Sequence, residues 1–113
     1  MHEMGIADGI LRASIEGAEQ ANATRINSVD VTIGVLTEIM EDALQFAWDV
    51  LSRETMAEGA VLNVTMIEAC SRCADCDAEF GHGRFDTTCP TCGSYMVELV
   101  TGRELVIDSI DID

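Results

Sequence analysis

An α+β fold is predicted for this chain: two helices packed on a small mixed β-sheet, with an inserted zinc-ribbon-like domain built on four cysteines. Three observations lead there. Apolar residues recur at helical spacing in two separate stretches. Short alternating, β-branched runs stand between and after them. All five cysteines of the 113-residue chain crowd into one segment.

From Ile6 to Asn22 the apolar positions are Ala7, Ile10, Leu11, Ile15 and Ala18, one face of an amphipathic helix. Val29-Asp30-Val31-Thr32-Ile33 alternates and reads as a half-buried strand. A second helix is expected from Glu41 to Glu58, with the stripe Met40, Leu44, Ala47, Trp48 and Leu51, and Gly59 placed to stop it. Leu62, Val64 and Met66 then alternate with Asn63, Thr65 and Ile67, so strand, helix and strand form a crossover unit. Two further strands are expected at Tyr95 to Val100 and Glu104 to Ile110. The last is too apolar for a free tail, so it should return to the first sheet. The division expected is 1–68 plus 101–113 as one domain and 69–100 as the other.

Aromatic residues make up only 4% of the chain, so the core must be aliphatic, and a bound metal often supports so small a core. The net charge is −15, which repels phosphate backbones and anionic membrane surfaces and argues against nucleic-acid and membrane partners. No apolar run reaches the ~18 residues of a membrane span, and the start lacks the basic and apolar regions of a signal peptide. A cytoplasmic, reducing setting is expected, where clustered cysteines hold metal more often than they form disulfides.

The cysteine segment reads CSRCADC, then CPTCG after a loop. Two C-x-x-C turns aim two pairs of thiolates at one ion, which is the signature of a tetrahedral zinc site. Cys89 and Cys92 form one pair. The other is Cys73 with Cys76 or Cys70 with Cys73; the first is favoured because Cys70 lies on the approach from the preceding strand. Cys70 is then a spare thiol, and Phe80 is placed to cover the site as an apolar lid. His82 in GHG reads as a solvated loop residue. Four thiolates leave no open position for water, so the zinc is structural and the chain is not a zinc hydrolase. Redox use of C-x-x-C is the weaker reading, and spacing alone leaves a rubredoxin-like iron site open.

The chain starts Met1-His2-Glu3-Met4. A histidine in second place brings its imidazole, its backbone nitrogen and the terminal amine of Met1 to one chelated ion, and the nitrogen of Glu3 can complete a plane. Four nitrogens in a plane suit Ni(II) or Cu(II) rather than zinc. The Glu3 carboxylate adds an axial or outer oxygen. Taken alone, such a terminus is by default disordered. Met40, Met56 and Met66 lie on or beside apolar stripes and read as core, and Met4 as packing.

Several pieces in order resemble the HypA/HybF family: Met1-His2-Glu3-Met4, Val31-Thr32-Ile33-Gly34, Leu44-Gln45-Phe46-Ala47-Trp48, Cys73 to Cys76, Cys89-Pro90-Thr91-Cys92-Gly93-Ser94, and Gly102-Arg103-Glu104-Leu105 through Ser109-Ile110. The resemblance implies a nickel metallochaperone, not an enzyme, for maturation of [NiFe]-hydrogenase. It implies His2, Met1 and Glu3 as the nickel site, with Ni(II) as transient cargo. Zn(II) would be held by Cys73, Cys76, Cys89 and Cys92. The implied partners are a HypB-type GTPase and the hydrogenase large-subunit precursor; some members serve urease. Three departures stand out. Cys70 is an extra thiol, and Asp77 stands where the family often has glycine. Met40 occupies a position where some members carry an acidic nickel ligand, so none is assigned there, although Glu38, Glu41 and Asp42 are near. The alternative from another class is a zinc-ribbon protein-interaction module with no nickel role.

Overall fold

The structure is a computed structural model and describes residues 2–113 apart from 85 and 87. The chain separates into two compact units, one of Met1–Thr32, Ile39–Thr65 and Val106–Asp113, the other of Ile33–Glu38 and Met66–Leu105. The short segment Ile33–Glu38 thus belongs with the cysteine-bearing unit.

In the first unit, helix α1 spans Glu3–Gln20 and buries Ala7, Ile10, Leu11, Ser14 and Ala18. The buried stripe passes through Ser14 rather than the expected Ile15, which is only half-buried. Ser14 is tolerated because its hydroxyl donates to the Ile10 carbonyl at 2.7 Å, so no polar atom is orphaned. Strand β1, Ile26–Gly34, is the centre of a three-stranded sheet, between β2 (Val61–Ile67) and β6 (Leu105–Ile112). Its central place explains why Ile26, Val29, Val31 and Ile33 are all at most 1% exposed. The returning strand joins this sheet as expected. Bonds from Asn27 to Asp111 and from Thr32 to Asp108 run in opposite order along β1 and β6, so the two are antiparallel.

Helix α2, Glu41–Leu51, packs against α1 and buries Leu44, Ala47 and Trp48. It is shorter than the expected helix to Glu58. After Leu51 the Thr55 hydroxyl bonds the Ser52 carbonyl at 2.6 Å, and Glu54 takes a left-handed φ of 62°. Serine and threonine here satisfy the backbone locally and end the helix before Gly59. Two side chains on α2 then bond the following segment. Trp48 Nε1–H donates to the Ala60 carbonyl at 3.0 Å, and Gln45 Nε2–H to that of Leu62 at 2.7 Å. Met40 precedes the helix and is 66% exposed, and Met4 is 48% exposed, so neither is core. Met56 and Met66 are half-buried.

The second unit has its own antiparallel sheet, in the order β4 (Glu79–Gly81), β3 (Cys70–Cys73), β5 (Val97–Thr101). Ser71 sits opposite Phe80 on one side and Leu99 on the other. Of these strands the sequence pattern predicts only β5. Gly34 lies so close to Gly102 that a Cβ would overlap the Gly102 carbonyl, and Leu36 N–H donates to that carbonyl at 2.7 Å. Only glycine allows this approach. Among the described residues no helix is long and apolar enough to cross a membrane.

Candidate metal centre

The cysteine unit is organised by two turns built alike. In the first, Asp77 N–H donates to the Cys73 carbonyl at 2.9 Å and Cys73 N–H to that of Ala78 at 2.9 Å. In the second, Gly93 N–H donates to the Cys89 carbonyl at 2.8 Å and Cys89 N–H to that of Ser94 at 3.0 Å. Each turn closes through a residue with left-handed φ, 63° at Asp77 and 76° at Gly93. Aspartate is among the few residues other than glycine that visit this region readily, which explains how Asp77 can stand in a glycine position. The two turns present their thiols to each other. The Sγ atoms of Cys73, Cys76, Cys89 and Cys92 lie within 4.8 Å of one another, with Cys73 to Cys92 at 3.5 Å and Cys76 to Cys89 at 3.6 Å. Ligands of a tetrahedral ion with metal–sulfur bonds of about 2.3 Å stand ~3.8 Å apart, so this cluster fits zinc.

Electrostatics point the same way. The Ala78 backbone N–H favours the thiolate of Cys76, yet the neighbouring Cys89, Cys73 and Cys92 sulfurs overcome it and push this thiol up to about 12. Cys89 is lowered to about 6, first by the Cys92 backbone N–H and then by that of Thr91. Cys92 is raised; the Ser94 N–H opposes that rise, while Cys73 and burial drive it. Crowded thiols cannot all ionise alone, because each new anion repels the last. A divalent cation removes that restriction and admits four thiolates.

Cys70 begins β3, half-buried, outside the four-sulfur cluster. Phe80 lies on β4, where its ring stands 5.7 Å from that of His82. His82 is not a solvated loop residue. It is half-buried, its Nε2 lies 2.6 Å from the Ser71 hydroxyl, and its Nδ1 lies 2.7 Å from the Gly83 carbonyl. The folding of β4 onto β3 places it there, and nothing in GHG announces that pairing.

At the other candidate site, Met1 lies outside the described residues. His2 is exposed and caps α1 without a side-chain bond. The first backbone N–H groups of a helix have no acceptor within it, so a metal that displaces the amide protons of His2 and Glu3 breaks no helical bond. The Glu3 carboxylate accepts the Met40 N–H at 2.9 Å, which sequence reasoning missed. That bond, followed by one from its own N–H, lowers the pKa of Glu3 from 4.5.

A helix–sheet unit joined to a four-thiol unit defines a small metal-binding protein. The family model described as "Hydrogenase/urease nickel incorporation, metallochaperone, hypA" matches residues 1–112. The hydrogenase maturation factor HypA of Dehalococcoides mccartyi is 35% identical over all of this chain and 95% of its own. That of Pelodictyon phaeoclathratiforme is 36% identical, with 97% of its length covered. The solution structure of the Ni metallochaperone HypA from Helicobacter pylori shares the fold, with a TM-score of 0.69 at 24% identity over 99% of this chain and 97% of that one. The chain belongs to the HypA family. It is a metallochaperone of hydrogenase maturation and not an enzyme.

Proposed function

We propose that this chain binds Ni(II) at its N-terminus and delivers it for maturation of [NiFe]-hydrogenase in the cytoplasm. The imidazole of His2, the free amine of Met1 and the backbone nitrogens of His2 and Glu3 form the donor set. Nickel handling belongs to 1–68 plus 101–113, and Zn(II) is held as a structural ion in 69–100 by Cys73, Cys76, Cys89 and Cys92. The receiving partners are a HypB-type GTPase and the hydrogenase large-subunit precursor.

The observation that supports this most directly is the start of α1. His2 is open to solvent, while the next residue is fastened to the start of α2 through the Met40 N–H. The His2 imidazole is thus accessible to a partner, next to a residue that is held in one place. Exposed ligands exchange one by one, which suits cargo, whereas four thiolates from two rigid turns suit a resident ion. The test is a Ni(II) titration of untagged protein beside His2→Ala and beside a form extended by one residue before Met1. Both changes should abolish the N-terminal equivalent of nickel and leave zinc content unchanged. Equal nickel affinity in all three removes the proposed site. Hydrogenase maturation unaffected by His2→Ala, but lost on zinc chelation, would favour the interaction-module alternative.

A further inference from the structure

The second unit contains a cavity of about 410 Å³ beside its sheet, within the size range of small-ligand sites. Leu36, Val97 and Leu99 give it apolar walls. Ser71 and His82 form a polar wall. That wall is internally satisfied: the Gly83 carbonyl can only accept, so Nδ1–H donates to it, and Nε2 pairs with the Ser71 hydroxyl. Ser71 is only 2% exposed, which holds the pair in place.

The charged lining is unusual for this molecule. The chain has 6 basic residues, all arginine, against 21 acidic ones, and two of the six, Arg84 and Arg103, line this one cavity. Glu38 is the single acid in the lining and forms an ion pair with Arg84. Among the described residues Arg103 has no ion-pair partner. The lining therefore carries one surplus positive charge above apolar walls.

We propose that this cavity binds a carboxylate carried on a short branched aliphatic group, with Arg103 as the anion-binding residue. A guanidinium meets a carboxylate through two parallel N–H bonds. Leu36, Val97 and Leu99 receive the aliphatic part. One surplus charge matches a monoanion rather than a phosphate of about −2. The chain's net charge of −15 opposes the approach of any polyanion. The carboxylate comes either from a free small acid or from the C-terminus of a peptide ending in an aliphatic residue.

The experiment follows backbone amide shifts of the zinc-loaded full chain on addition of isovalerate, isovaleramide, inorganic phosphate, and acetyl-Gly-Val with a free or an amidated C-terminus. Isovalerate should produce saturable shifts at Ser71, His82, Leu99 and Arg103. The uncharged isovaleramide should bind at least about tenfold more weakly. A free peptide end binding more tightly than isovalerate assigns the peptide source; equal or weaker binding assigns the free acid. Arg103→Gln should reduce affinity by about tenfold, and Arg103→Lys by less, because lysine keeps the charge but not the fork. Glu38→Gln should tighten binding, an outcome that loss of structure cannot mimic. Equal affinity for acid and amide, tighter binding of phosphate, or no saturable shift overturns the proposal. So does unchanged affinity in Arg103→Gln. Should Arg103→Gln lose zinc, Glu38→Gln decides: tighter binding supports the site, and unchanged or weaker binding refutes it.

Discussion

Asp77 and Gly93 occupy equivalent corners of the two cysteine turns, with φ of 63° and 76°. A β-branched residue there meets its own carbonyl, at a cost of roughly 1–2 kcal/mol. Asp77→Val should therefore lower the thermal midpoint of the zinc-loaded protein, while Asp77→Gly should not; calorimetry separates the two. Gly34 makes a sharper demand, since the atoms that a Cβ would meet are backbone and have no rotamer to escape into. Gly34→Ala should destabilise by about 1–3 kcal/mol, read from denaturant midpoints. The favoured cysteines, Cys73 and Cys76 with Cys89 and Cys92, were legible from C-x-x-C spacing and the strand approach because each turn is local, and the structure brings their sulfurs together. Asp77 was legible only as a departure from a glycine, and its φ supplied the reason. The Ser71–His82 pair was not legible at all, because its partners are brought together by strand register rather than by sequence neighbours.

Among the elements, α2 carries the first unit. Trp48 is 2% exposed and its Nε1–H is spent on the Ala60 carbonyl, so it both fills the core and fixes the exit segment. Trp48→Ala should cost about 3–5 kcal/mol, measured by urea unfolding, and Trp48→Phe less, since only the hydrogen bond and part of the volume go. The shortening of α2 shows where periodicity misleads: apolar spacing continues past Leu51, but Ser52 and Thr55 offer the backbone other partners. The joint between the helices is the Glu3 carboxylate on Met40 N–H. Its lowered pKa means that the folded state favours the charged form. That preference is present above 4.5 and is lost as pH falls through the lower folded value. The Met40 amide shift should therefore titrate with a midpoint below 4.5, and Glu3→Gln should remove the transition.

For the whole molecule, zinc binding should be a proton-releasing step whose size depends on pH. Cys89, lowered to about 6, is thiol at pH 5 and thiolate at pH 8, while Cys76, raised to about 12, is thiol at both. Zinc binding should thus release about one more proton at pH 5 than at pH 8, measured by calorimetry in buffers of different ionisation enthalpy. Equal release would show that Cys89 does not ionise first. Zinc affinity must weaken as the solution is acidified, because every additional bound proton competes with the metal.

Composition, helical and alternating periodicity, and the spacing of the cysteines determined by themselves that this is an α+β chain with an inserted four-thiolate unit. These features are local: a helix stripe, a strand alternation or a C-x-x-C turn is written in residues a few positions apart. Tertiary structure alone decided that Ile33–Glu38 joins the cysteine unit and that Ser14 takes the buried place on α1. It alone decided that Glu3 reaches Met40, and that Leu36, Ser71, His82 and Arg103 share one cavity. Those outcomes depend on which distant segments meet, and the meeting is set by sheet order and register, which no window of neighbouring residues contains.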